Sequence, residues 1–481
     1  MPTVNFGEYN LVSNVLAAGQ ANPQPYPAFT GTQLAAYQAV CKLWDVSDVR
    51  AQYPNLTFDL DAHAALLTPQ SYPGDGNGFS KDDWNAVCQE LKLEIGAVGN
   101  VRQLYANFGQ FNLAVFVDEG DTLQAIKDGL QLADTDTTPL WPGALVEGVF
   151  YAVFSALGPV GGFIANVVSA AWNTAQAAGT WNPAQQLQVE YQDILTTLLQ
   201  NWNNVTDVAS QQETTILQDW GMTQAVSALC GNQLASNSEQ VQQASTVGEA
   251  QFAAGVLQMM MPGTCAITGA MFYTGTPPAA ADNTWVLHLN NGSWAQMSLM
   301  MQVDNYANAV PSNLLDYIWA AGIPKRDVFL GQNGWQLPYD NFSINGWEGS
   351  FATDNDSAML VFFINDTEAN MYVNASNPYD GDETVFLPDS CGLPAGGYAL
   401  FAAAYKDGPR LDFGVFSNTY DKGSVVSCTV SETVDDVEAG TISVSNANWV
   451  DGFTMSSVTV DGNWGSGDRG APGVAVLAIT N

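Results

Sequence analysis

Basic residues are scarce. Twelve Lys and Arg stand against 48 Asp and Glu, giving a formal net charge of −36. A field of that sign repels phosphate backbones and anionic headgroups, which excludes nucleic acid as a partner. No Lys or Arg lies between Lys127 and Lys325, so that interval offers nothing to trypsin-type proteases. Survival among digestive proteases and drift in an acidic composition account for this equally well. Histidine is rarer still. His63 and His288 lie in different halves of the chain, so a Ser-His-Asp or Cys-His centre would rest on one isolated imidazole. There is no G-x-S-x-G, no phosphate loop and no G-x-G-x-x-G between a strand and a helix, and among so many acids no carboxylate pair stands out. A non-enzymatic protein without a cofactor is expected.

Cysteine is also sparse. Cys41, Cys88, Cys230, Cys265, Cys391 and Cys428 are widely spaced with no C-x-x-C pair, which removes zinc-ribbon and thioredoxin readings. Bridges between Cys391 and Cys428 and between Cys230 and Cys265 fit the pattern, and so do six buried free thiols. The start, Met1-Pro2-Thr3-Val4-Asn5-Phe6-Gly7-Glu8, has neither a basic n-region nor an apolar core. The expectation is a mature form or a protein made without a secretory leader, released or deposited, soluble and acting extracellularly.

What the chain does contain is apolar mass. Hydrophobic residues make up 47% and there are 14 Trp, so surface on this scale must be buried and the chain folds. Its 481 residues exceed one ordinary core. Ser80-Lys81-Asp82-Asp83 caps a helix through Trp84, Val87, Leu91 and Ile95, and Asp121 precedes another through Leu123, Ile126 and Leu130. Gly74-Asp75-Gly76-Asn77-Gly78 has the look of a calcium loop, but Pro73 stands at the first ligand position and Trp84 where the closing Glu belongs, so it reads as a turn. Asp59, Asp61 and His63 alternate like a metal triad on a strand, yet Asp61 reads better as the cap of a helix from Ala62 to Leu67.

The segment 139–173 stands apart. Its only charge is Glu147, and Gly158-Pro159-Val160-Gly161-Gly162 breaks any helix near its middle. Two arms of about fifteen residues result, each about 22 Å long, shorter than the ~30 Å of a bilayer core. A hairpin is expected rather than a resident anchor. Either it is the buried centre of a helical bundle or it inserts into lipid. The flanking Trp141 and Trp172 and the small residues Gly161, Ala165 and Ser169 favour insertion. Asn182-Pro183-Ala184-Gln185 then starts a helix carrying Leu187, Tyr191, Ile194, Leu198, Trp202, Val205 and Val208 on one stripe. If it reaches Trp220 it is about 57 Å long. Gly231 breaks it, and a further helix from Glu239 closes at Met261-Pro262-Gly263.

After Thr264 the texture becomes β. Apolar runs at 284–289, 358–364 and 473–479 are separated by Asn, Asp, Gly and Pro turns, with one helix between Pro311 and Ala321. The expected fold is α+β and multidomain. An N-terminal α-helical bundle with a central apolar hairpin (1–263) precedes a small mixed module (264–345) and an antiparallel β-sandwich (346–481). Asn333-Gly334-Trp335 recurs as Asn345-Gly346-Trp347, with a relative in Asp461-Gly462-Asn463-Trp464. Asn-Gly favours tight turns, and the Trp that follows either offers a flat face to sugar or lipid headgroups or packs back onto the sheet. Trp335, Trp347 and Trp464 are the candidate binding residues.

The run Phe154-Ser155-Ala156-Leu157-Gly158-Pro159-Val160-Gly161-Gly162-Phe163-Ile164, followed by a long amphipathic helix, resembles the helical domain of three-domain insecticidal crystal toxins and, more loosely, other helical-hairpin pore formers. Asn365-Asp366-Thr367 after a strand, with Leu393-Pro394-Ala395-Gly396-Gly397 later, resembles aegerolysin- and actinoporin-like sandwiches. The chain departs from the crystal-toxin pattern in the long segment before residue 138 and in a β portion short for two receptor domains. The resemblance implies a pore-forming toxin that docks through its β domain on a lipid or glycan receptor and acts as a homo-oligomer on the membrane. The inserting residues would be Trp141, Val149, Phe150, Phe154, Pro159, Gly161, Phe163, Ile164, Ala165 and Trp172. Glu147 would sense pH, with the direction of any trigger open. A lectin, or a structural surface or filament protein whose hairpin stays buried, is the alternative.

Overall fold

The computed structural model describes residues 10–74, 76–116, 119–133, 141–142, 158–178, 186–187, 190, 193–230, 238–272, 277–289, 292–302, 308–344, 357–376, 384–386, 392–405, 408–417, 423–435, 438–450, 452–461 and 472–481. Two compact units emerge. One is helical (Pro2–Gln124 and Ala133–Phe252), and the other is mainly β (Ala125–Leu132 and Ala253–Asn481).

In the helical unit the helices are α1 (Leu11–Ala21), α2 (Gly31–Leu43), α3 (Leu60–Ala64), α4 (Lys81–Phe116), α5 (Glu119–Gly129), α6 (Gly158–Ala177), α7 (Ile194–Gln218), α8 (Trp220–Cys230) and α9 (Ser238–Met260), the last of these and α5 running on past the unit's limits. The start of α4 is fixed by a reciprocal cap. The Ser80 amide donates to Asp83 Oδ2 at 2.9 Å, and the Asp83 amide donates to Ser80 Oγ at 3.1 Å. From there Trp84, Val87, Leu91, Ile95, Val98, Val101 and Leu104 recur at steps of three and four, all buried. At 36 residues α4 is about 54 Å long and forms the unit's spine.

Three expectations are corrected here. The cap of α3 is Asp59, whose Oδ1 accepts from the Ala62 amide at 2.9 Å, because the helix begins at Leu60 and Asp61 already lies inside it. The helix expected from Asn182-Pro183 begins instead at Ile194. Gln186–Leu187 (β2) pairs antiparallel with Trp141–Pro142 (β1), so those backbone groups are committed to a ladder rather than to a helical turn. The expected 57 Å helix ends at Gln218, because Asp219 turns extended and caps the next helix, its Oδ1 accepting from the Met222 amide at 2.8 Å. By contrast, α9 closes in a 3-10 turn over Met261–Gly263 where expected. Gly74, Gly76 and Gly78 all take positive φ, and the Asn77 side chain donates through Nδ2 to the Gly74 carbonyl at 2.9 Å, the geometry of a turn; Asp75 lies outside the described residues.

The β unit holds α10 (Ser312–Ala320) and α11 (Lys325–Phe329) among three sheets. The first, ordered β4-β5-β3-β6, comprises β3 (Cys265–Phe272), β4 (Thr284–His288), β5 (Trp294–Met301) and β6 (Tyr339–Ile344). The next two form a sandwich. One is ordered β15-β16-β7-β11-β9 and the other β10-β8-β12-β13-β14. Their strands are β7 (Ser357–Asn365), β8 (Met371–Ser376), β9 (Thr384–Phe386), β10 (Gly392–Leu393), β11 (Tyr398–Tyr405), β12 (Arg410–Ser417), β13 (Val426–Asp435), β14 (Glu438–Trp449), β15 (Thr454–Val460) and β16 (Gly473–Thr480). The sheets are rich in antiparallel pairs without being purely antiparallel, since β16 runs parallel to β7 and β6 to β3.

The β7 sheet is buried on both faces. Met359, Val361, Phe363, Phe401 and Leu477 meet Val373, Leu411, Phe413 and Val430 of the opposing sheet. Residues of opposite parity, such as Leu360, Phe362, Ala402 and Val476, are equally buried. The mixed module covers that second face, with Tyr339 6.2 Å from Phe362 and Trp285 5.7 Å from Tyr398 between ring centroids. Double burial is why β7, β11 and β16 read as unbroken apolar runs rather than alternating ones. The module and the sandwich thus share one compact unit.

Candidate functional site

The uncharged segment supplies α6. Glycine and proline at 158–162 lie within the first turns of the described helix, where the fixed φ of Pro159 suits the geometry. The helix then runs 20 residues, about 30 Å, without a charge. Ala165, Val167, Val168, Ser169, Ala170, Ala171, Trp172 and Ala175 are all buried, so this stretch meets protein on every side, against α1, α4 and α7. Its polar side chains are tied to those neighbours. Asn166 Oδ1 accepts from the Leu11 amide at 3.0 Å. Thr174 Oγ1 donates to the Ala170 carbonyl at 2.9 Å and accepts from Gln212 of α7 at 3.1 Å. No helix among the described residues is long and apolar enough to cross a membrane.

Of the expected inserting residues, the structure places Pro159, Gly161, Phe163, Ile164, Ala165 and Trp172 together on α6, with Ala165 and Trp172 buried. Trp141 stands apart in β1. Glu147, Val149, Phe150 and Phe154, the first arm of the hairpin, lie outside the described residues, as do Trp347 and Trp464. Trp335 is 2% exposed and is therefore not a surface platform. Its Asn-Gly pair makes a turn with positive φ at both Asn333 and Gly334, and Asn333 Nδ2 donates to Asp327 at 2.7 Å, so the indole packs inward.

Sequence reasoning missed a buried acid on α7. Glu213 of α7 is 6% exposed, and burial pushes its carboxyl up to about 7, opposed by the Arg102 charge. Arg102 cannot give it much more. The guanidinium donates to the carbonyls of Gln52, Tyr53, Asn55 and Phe58 at 2.7 to 3.2 Å, holding the loop that enters α3. Among the described residues no hydrogen bond reaches the Glu213 carboxylate. The signal was present in the spacing, because Glu213 lies four residues beyond Ala209 and three before Ile216, both on the buried stripe.

A second buried acid of the unit is fully paired. Glu94 of α4 is 0% exposed and accepts from Arg50 Nε and Nη2 at 3.0 and 2.5 Å and from the Tyr53 hydroxyl at 2.8 Å. The Arg50 guanidinium in turn lies 4.7 Å from the Phe29 ring centroid and 5.5 Å from that of Tyr26. Several of the few basic residues are thus spent inside the fold. Lys325 donates to the Thr284 carbonyl at 2.7 Å and Arg326 to Asp366 at 2.7 Å.

Cys41, Cys88, Cys265 and Cys428 are buried free thiols, so neither expected bridge forms. Burial pushes Cys88 and Cys265 up to about 11 and Cys428 up to about 12, which makes them poor nucleophiles. The two C-terminal motifs meet at one corner of the sandwich. Asn365 Nδ2 donates to the Leu393 carbonyl at 2.8 Å and its backbone amide to the Gly397 carbonyl at 3.1 Å, while Thr367 Oγ1 donates to Asn365 Oδ1 at 2.7 Å. Asn365 is 0% exposed, so that sequon is structural.

No family model matches the chain. It is similar to calcium up-regulated protein F of Dictyostelium discoideum, with 27% identity over 354 residues, 70% of this chain and 43% of that protein. Calcium up-regulated protein G of the same organism is 27% identical over 335 residues, covering 66% of this chain and 42% of its own length. Among solved structures, the chain is similar to IP-1A from Alcaligenes faecalis at 10% identity and a TM-score of 0.19, over 27% of this chain and 93% of that one. The chain therefore spans about half the length of the curated Dictyostelium relatives it matches, at an identity that leaves its own function to be argued from its residues.

Proposed function

We infer that this is a non-enzymatic, membrane-acting toxin or defence protein, which docks through its β unit on a target surface and yields the α6 segment to lipid, acting as a homo-oligomer outside the cell that makes it. The observation that carries the reading is α6: a helix without a charge, not apolar enough to cross a bilayer by itself, whose residues 165–172 are kept from water by the surrounding protein. Lipid accepts helices because their backbone groups are satisfied internally. Glu213 supplies a direction for the trigger. Above neutral pH its ionisation places a buried negative charge on α7, which packs against α6; Arg102 opposes that charge but no hydrogen bond does, so ionisation loosens the helical unit rather than tightening it. A net charge of −36 points to neutral or glycosylated headgroups. The names of the Dictyostelium relatives tie them to calcium, and a divalent cation would screen this charge, so calcium is one arm of the test.

The second reading is a lectin or structural surface protein in which α6 stays in the core. It is favoured by Asn166 and Thr174, whose bonds to α1 and α7 would have no replacement in hydrocarbon. Dye release from phosphatidylcholine vesicles between pH 5 and 9, with and without glycolipid, anionic lipid and calcium, separates the two. The membrane reading expects release that grows above pH 7 and loses its pH dependence in Glu213→Gln. Silence under every condition favours the second.

A further inference from the structure

We propose that the outer face of the β10-β8-β12-β13-β14 sheet is a binding site for a short neutral oligosaccharide of a surface glycan, running along β12 from Tyr372 and Phe416 to Asp412. The proposal rests on the reading that the β unit docks, and it names what the unit docks to. Along β12 burial alternates, so that Leu411, Phe413 and Val415 point into the core while Arg410, Asp412, Gly414 and Phe416 point outward. Phe416 stands opposite Tyr372 in the register, and Gly414 opposite Asn374. A Cβ at Gly414 would lie 3.2 Å from the Phe416 ring, so that ring reaches over the glycine. Tyr372 beside it is 49% exposed. Together they make an apolar platform suited to the C–H face of a pyranose.

Polar groups of fixed orientation lie further along the same face, about 13 Å from the Tyr372 and Phe416 pair at the four-residue offset of Asp412. Asp412 Oδ1 accepts from Thr429 Oγ1 at 2.7 Å and from Arg410 Nη2 at 3.2 Å. Asn446 Nδ2 donates to Thr429 Oγ1 at 3.3 Å. Asn446 reaches it through a β-bulge. Ser445 pairs with Thr429 and Asn448 with Ser427, so Asn446 and Ala447 face Cys428 alone, and Asn446 takes φ 51°. Bulges of this kind re-aim side chains, and here one brings an amide into the Asp412 network. Carboxylate, guanidinium and amides beyond an aromatic platform match the vicinal hydroxyls of a further sugar unit.

Charge decides the class of sugar. In a chain of net charge −36, the outward residues of β8, β12, β13 and β14 whose side chains are described carry a single charged pair, Arg410 and Asp412, which neutralise each other; Asp435 and Glu438, at the far end of β13 and β14, would add only negative charge. No uncommitted cation is offered there to a phosphate, sulfate, sialate or uronate, and the surrounding field repels all four. A neutral ligand meets no such penalty.

The test is binding of the full chain to immobilised glucose-, galactose- and mannose-terminated oligosaccharides and to their sialylated and sulfated counterparts, at 0.15 and 0.5 M NaCl. The expected result is binding to a neutral member that is insensitive to salt and falls at least about tenfold in Tyr372→Ala and in Asp412→Asn. Asn446→Ala, remote from the core, is expected to weaken it more mildly, and circular dichroism checks that each variant is folded. Binding confined to acidic glycans, binding unaffected by Tyr372→Ala, or no binding to any member overturns the proposal. Dye release from glycan-free vesicles at high protein concentration scores the membrane reading separately, since Tyr372→Ala leaves it unchanged.

Discussion

Removing the charge from Glu213 should stabilise the protein at alkaline pH and do little in acid. The carboxyl rises from an ordinary 4.5 to about 7 because burial outweighs the attraction of Arg102. The folded state therefore holds a proton that the unfolded chain gives up between those two values. Stability contributed by protonated Glu213 is fully present below about pH 4.5, is lost as pH rises towards 7, and stays lost above it. At ~1.4 kcal/mol for each tenfold change in proton affinity, the whole effect is at most about 3 to 4 kcal/mol. Glu213→Gln mimics the protonated acid, so it should exceed the wild type by about 2 to 3 kcal/mol at pH 8 and match it within about 0.5 kcal/mol at pH 4.5. Amide hydrogen exchange read on Ile194–Gln218 measures this within the helical unit, without assuming that both units unfold together. A Glu213→Gln chain that is less protected than the wild type at pH 8 would refute the reasoning, because the Arg102 attraction would then exceed the cost of burial.

Glu94→Ala leaves the Arg50 guanidinium among rings without its carboxylate, and should cost about 3 kcal/mol in denaturant unfolding; a loss below about 1 kcal/mol contradicts the pairing. Cys41, Cys88, Cys265 and Cys428 should resist maleimide at pH 8 in the native protein and react fully in denaturant without reductant, as counted by mass spectrometry; rapid native labelling of any of the four opposes their burial. Expression through a secretory pathway should leave Asn365 unglycosylated, whereas Asn365→Ala should lower the thermal midpoint by several degrees, because two carbonyls lose their donor. Peptide mapping that finds a glycan on Asn365 would contradict the corner.

The division into helical and β halves was legible because it rests on period and composition. The strands at 284–289, 358–364 and 473–479 and the capped start of α4 follow from local residues alone. The helix starts that misled depended on competition. Residues 186–187 found a ladder partner 45 positions away in β1, and Asp219 formed a better cap than helix interior. Glycine and proline at 158–162 read as a break, but only the fold decides that they lie within the first turns of the described helix. The fate of Trp335 was not readable either, since Asn-Gly specifies the turn and not which side of it faces the core. Tyr372 and Asn446 carried no sequence signal, because an outward platform and a bulge exist only once β8, β12, β13 and β14 are in register.

The most direct test of the membrane reading is photolabelling of the wild-type chain on glycolipid-containing vesicles doped with a photoreactive phosphatidylcholine, at pH 8.5. Chymotrypsin must make the peptides, because no Lys or Arg lies between Lys127 and Lys325. Lipid adducts on Gly158–Ala177, absent when vesicles are withheld, are the predicted result. Vesicle-bound protein that permeabilises the membrane while this segment stays unlabelled would contradict the account.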